Sequence, residues 1–98
     1  MSTEYLLPKK IGHAEFKLES IGTVIVSTIE LPLMYQQANP RRKYETAIIW
    51  DQQHEADDGY HIDWVGFSLH VALSHHESWC DETKLAKLIH ASVTAKLN

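Results

Sequence analysis

The hydrophobic period of this sequence changes once, at Ser68, and that change limits what the chain can become. Ahead of Ser68 apolar residues recur at every second position, and beyond it at every third or fourth. A period of two places alternate side chains on opposite faces of a strand, whereas spacings of three and four collect them along one stripe of a helix. A run of strands followed by a run of helices predicts an α+β domain, with the helices covering one face of an antiparallel sheet.

Four strands are expected, over 13–19, 23–31, 44–50 and 60–67. In the first, Ala14, Phe16 and Leu18 oppose Glu15, Lys17 and Glu19. The second, TVIVSTIEL, is rich in β-branched residues that pack well on a pleated surface. Ser20 to Gly22 is short enough to join these two as a hairpin. In the third, Tyr44, Thr46, Ile48 and Trp50 share a face; in the fourth, Tyr60, Ile62 and Trp64 are expected opposite His61, Asp63 and Val65. Pro32 ends the second strand, and the next ten residues, which include Gln36, Gln37, Asn39 and Pro40, read as a loop reaching the basic triplet Arg41, Arg42 and Lys43. The first dozen residues carry no pattern that assigns them.

Ser68 has the chemistry of a helix N-cap, since its hydroxyl can accept from free backbone N–H groups of the first turn. Leu69, Ala72, Leu73, His76, Trp79 and Cys80 then form the stripe expected to cover the sheet. Asp81 can cap a second helix carrying Leu85, Leu88, Ile89 and Val93, or a single bent helix can run over 69–93. The fold class is thus an antiparallel four-stranded β-meander packed by one C-terminal helix or two, with residues 1–98 as a single domain.

Charge is distributed unevenly. Nine basic against thirteen acidic residues give a net −4, yet between Tyr44 and Thr83 there is no Lys or Arg. That half holds nine carboxylates, and five of the seven histidines, His54, His61, His70, His75 and His76, lie in it. Such asymmetry can steer a basic partner, and Asp51, Glu55, Asp57, Asp58 and Asp63 are the candidate partner-binding acidic face. A net acidic chain with one short basic triplet and no aromatic stacking motif disfavours nucleic acid as a partner.

Motifs for chemistry are sparse. His70, His75 and His76 are not at the i, i+3 or i+4 spacing that places metal ligands together on a helix, and the chain has no HExxH or CxxC pattern, so no metal or cofactor is expected. GxSxG, GxGxxG and P-loop motifs are absent, and no catalytic residue is assigned. Three weaker arrangements remain: His61 with Asp63 as an acid–base pair, His76 as a base, and His76 four residues before Cys80 as a thiol pair, against which both fit the buried stripe. A lone cysteine fits a reducing compartment, and neither an 18-residue apolar run nor a signal-peptide pattern is present, so a cytoplasmic protein with no membrane contact is expected.

Three segments resemble a group of small hypothetical proteins frequently encoded by bacteriophages and prophages. Val26 to Leu31 resembles a VSTVxL strand, Tyr44 to Ile49 an [FY]ETMVF strand, and Ser68, Ala72, His76 and Glu77 the [ST]xxEAxxGHE start of a helix. His75 stands where that pattern has glycine, and Val71 where it has glutamate. The resemblance implies a phage or prophage setting and a β-meander followed by a helix; it carries over no catalytic residue. The expected function is an accessory protein in the host cell, acting by protein–protein binding on a host or phage protein rather than by catalysis. Homo-oligomerisation through an open sheet edge is a further expected mode. Alternatives are an anti-CRISPR-like host-defence inhibitor whose acidic face blocks a basic nucleic-acid site, a virion structural or assembly protein, and a small enzyme using His61 and Asp63 or His76.

Overall fold

The computed structural model describes residues 5–19, 21–51 and 59–97, the side chains of 93–97 excepted. Its elements are β1 (Lys9–Leu18), β2 (Gly22–Glu30), α1 (Leu33–Ala38), β3 (Tyr44–Trp50), β4 (Gly59–Gly66), α2 (Leu69–Trp79) and α3 (Glu82–Leu97). The strands form one antiparallel sheet in the order β1-β2-β3-β4, the meander expected from the sequence. Tight pairing of β1 with β2 rests on Gly22, whose φ of 101° lies in the region that favours glycine.

β1 begins four residues ahead of the expected start. The ladder shifts register between Lys10 and Gly12, so the extra residue at Ile11 lets Lys9 and Lys10 pair with Glu30 and Ile29. The connection after Pro32, expected as loop, contains the six-residue helix α1, too short to reveal a helical period. At the C-terminus there are two helices and not one. Ser68 caps α2 by accepting from the Val71 N–H, and Asp81 Oδ1 accepts from the Thr83 and Lys84 N–H groups at the start of α3.

Both helices lie on one side of the sheet, α2 across β2, β3 and β4, and α3 against β1. Beneath them Val24, Val26 and Ile48 are fully buried and Trp50 nearly so, meeting Ile21, Leu85 and Ile89. Phe16, Leu18, Trp79 and Leu88 close the margins of this cluster. The edge strand β4 departs from its expected alternation. A bulge at Asp63 pairs Ile62 with Ala47 but Trp64 with Thr46, which turns Trp64 to the same side as His61 and leaves Tyr60, Ile62 and Val65 on the other. Glycine is required at Gly59, where the Trp50 ring occupies the space a Cβ would need.

Candidate functional site

The seam between α2 and the sheet is held by polar side chains. Thr28 and Thr46 sit opposite each other on β2 and β3 and are both fully buried. Thr46 Oγ1 donates to the Ala72 carbonyl at 3.1 Å, the two threonine hydroxyls lie 2.8 Å apart, and Thr28 Oγ1 is 3.0 Å from His76 Nδ1. Each hydroxyl has one proton, so the order of donation follows. The Thr46 proton goes to Ala72, the Thr28 proton must go to Thr46, and His76 must donate from Nδ1 to Thr28. His76 therefore carries its proton on Nδ1, with Nε2 as the unprotonated nitrogen of the neutral ring.

The His76 ring rests against the backbone of β1, where a Cβ on Gly12 would lie 3.1 Å from it. Burial, and then the charge of His13, hold His76 below the ordinary histidine value. Thr28 of β2, Thr46 of β3, and Ala72 and His76 of α2 thus meet in one chain of hydrogen bonds.

The next residue docks the opposite flank of α2. His75 Nδ1 donates to Asp63 Oδ2 at 2.7 Å and its ring stacks on Trp64, centroids 5.5 Å apart and planes 16° from parallel. The bulge at Asp63 is what aims a carboxylate and an indole from adjacent positions at one imidazole. His61 goes elsewhere, its ring tilted against Trp79 at 6.2 Å. The expected pairing of His61 with Asp63 is thus replaced by His75 with Asp63, a contact between elements that no local spacing reveals.

These anchors rotate α2 away from the expected stripe. Ala72, His75, His76 and Trp79 face the sheet, whereas Leu69 and Leu73 are about 40% exposed and Cys80 is exposed too. Cys80 does not engage the His76 ring. Its thiol donates to the His76 carbonyl, and burial followed by the charge of Glu77 pushes its pKa up, away from a reactive thiolate. Among the described residues no group of three His, Cys, Asp or Glu side chains is placed to hold a metal. Of the candidate acidic face, Asp51 is exposed at the end of β3, Asp63 is engaged with His75, and Glu55, Asp57 and Asp58 lie outside the described residues.

The reverse face of the sheet has no described helix packed on it. Pairing register places Thr23, Ile25, Ser27 and Ile29 of β2 there, with Glu45, Ala47 and Ile49 of β3 and Tyr60, Ile62 and Val65 of β4. Tyr60 is 52% and Ile62 45% exposed. The Tyr60 hydroxyl donates to Glu45 Oε2 at 3.0 Å, which carries the phenol across the position of Ala47. Burial, reinforced by that bond and by the Glu45 charge, raises the Tyr60 pKa to about 12. Simple alternation hides this face, because it places Tyr60 and Ile62 with Trp64 and sets Val65 opposite them, whereas the bulge brings Val65 to the side of Tyr60 and Ile62. A separate open cavity of about 370 Å³ lies beside α1, lined by Leu7, Lys9, Glu30 and Leu33 among others.

Comparison with protein-family models, curated proteins and solved structures found no match for this chain. Among the described residues no helix is long and apolar enough to cross a membrane.

Proposed function

We propose that this chain is a small phage- or prophage-encoded accessory protein of the host cytoplasm that acts by protein–protein binding, with the sheet face opposite α2 and α3 as its docking surface. The observation that carries the reading is the apolar block of Ile25, Ile29, Ile49, Ile62 and Val65 on that face. A solvent-facing sheet ordinarily alternates polar residues outward, and contiguous apolar surface of this kind marks interaction sites. The histidines support the same reading from the other side. His75 and His76 both spend Nδ1 on fixing α2 to the sheet, which makes them pegs of the scaffold.

Both outer strands are poor templates for strand addition, since β1 carries Lys9, Lys10 and a register shift and β4 carries the Asp63 bulge. The face is therefore favoured over the sheet edge. The test is affinity capture from host lysate at low and high salt, with wild type beside Ile62→Asp. Loss of a captured protein in the variant, with unchanged circular dichroism, supports the reading. A partner held equally by both proteins refutes it.

A further inference from the structure

Resting on the binding reading above, we infer that the occupant of the open sheet face is a second copy of this chain, related by a two-fold axis lying across the strands. The register of the sheet carries the argument. On the open face, Glu15, Ile25, Ile49 and Tyr60 form one row, His13, Ser27, Ala47 and Ile62 the next, and Lys10, Ile29, Glu45 and Val65 the third.

A two-fold axis along the middle row lays each outer row over the other outer row of the second copy. Ile25 then meets Ile29, Ile49 meets Glu45, Tyr60 meets Val65, and Glu15 meets Lys10, each contact occurring twice, as an isologous interface requires. Lys10 and Glu15 are exposed, and neither has an ion pair within the chain among the described residues. They are of opposite sign at equal distances from the middle row, so the charges along β1 are complementary to their own copies. Small residues at the centre, Ser27 and Ala47, let two sheets approach to the usual spacing of about 10 Å. Glu45, the charge within the apolar block, is already hydrogen-bonded by Tyr60.

Size is adequate. Four strands about 4.8 Å apart, with about 3.3 Å per residue, give a face of about 500 Å² in plan. Two copies bury roughly 1,000 Å², the area at which specific interfaces begin.

Sedimentation equilibrium of the purified chain over a concentration series tests the inference, using Lys10→Glu, Glu15→Lys and the double variant. Wild type is expected at twice the chain mass of 11.2 kDa. Each single charge reversal places like charges together and weakens the dimer by about tenfold or more. The double variant restores it, which a merely structural role for either residue would not do. Wild type that remains monomeric up to about 1 mM, where even a dimer as weak as −4 kcal/mol is half formed, overturns the inference; so does a double variant no stronger than the singles. The two readings fail separately. A monomeric wild type whose lysate partner is still lost in Ile62→Asp removes self-pairing alone, whereas a dimer untouched by Ile62→Asp removes the docking face itself.

Discussion

Replacing Thr46 by valine removes one oxygen from the centre of the α2 seam and keeps the shape of the side chain. In the native chain the direction of donation is fixed from His76 through Thr28 and Thr46 to the Ala72 carbonyl. Without the Thr46 hydroxyl, the Thr28 proton has lost its acceptor. It regains one by turning to His76 Nδ1, which requires the imidazole proton to move to Nε2. The variant then lacks two hydrogen bonds but leaves no buried donor unpaired. At about 0.5–1.5 kcal/mol net for each bond, with valine recovering part through its extra buried carbon, the cost is about 1–2 kcal/mol. A ring locked on Nδ1 would instead leave the Thr28 proton buried without a partner and add about 1–3 kcal/mol.

Two measurements decide between these outcomes. Urea denaturation gives the stability difference, and ¹⁵N chemical shifts of the imidazole give the tautomer. The expected result is an Nδ1–H tautomer in wild type, Nε2–H in Thr46→Val, and a stability loss at the smaller figure. A wild-type ring protonated on Nε2 would refute the direction of donation, and with it the account of how α2 is held.

Two further outcomes follow from the same contacts. Because burial depresses the His76 pKa, the unfolded chain takes up that proton more readily than the native state. Its contribution to stability is present above the unfolded value of about 6.5 and is lost as pH falls through that value toward the lower native one. Urea midpoints of wild type should therefore fall more steeply from pH 7 to pH 5 than those of His76→Gln, and parallel curves would contradict the assignment. Trp79 packs against the core cluster, meets the His61 ring and carries Lys84 Nζ at 4.4 Å from its centroid. Its replacement by alanine should cost about 3 kcal/mol, the low end for a large aromatic because the ring is only partly buried, and an unchanged denaturation midpoint would show that the ring bears no load.

The strand and helix types were legible because their periods are local. β3 spans the expected 44–50, and the Ser68 and Asp81 caps work as their side-chain chemistry predicts. Each of these depends on residues within a few positions of one another, where backbone geometry alone fixes which face a side chain takes. α1 escaped notice because Leu33 to Ala38 is under two turns, and Leu33, Met34 and Tyr35 are all exposed, so no buried stripe marks it.

The rotation of α2 and the face of Trp64 were decided elsewhere. A bulge adds a single residue to β4 and inverts every assignment beyond it, although nothing in the run from Tyr60 to Val65 marks where that residue falls. By hydrophobicity alone Leu69 and Leu73 belong beneath α2; they are displaced by His75 and His76 because Asp63, Thr28 and Thr46 offer those imidazoles partners. Leaving the buried Thr28 and Thr46 hydroxyls unpaired would cost more than exposing part of two leucines. The order and kind of the elements follow from propensity and period, which act between near neighbours. Which side chains meet at the seam and which remain on the open face depends on contacts between distant elements, because a buried polar group is satisfied by whatever the whole fold brings to it.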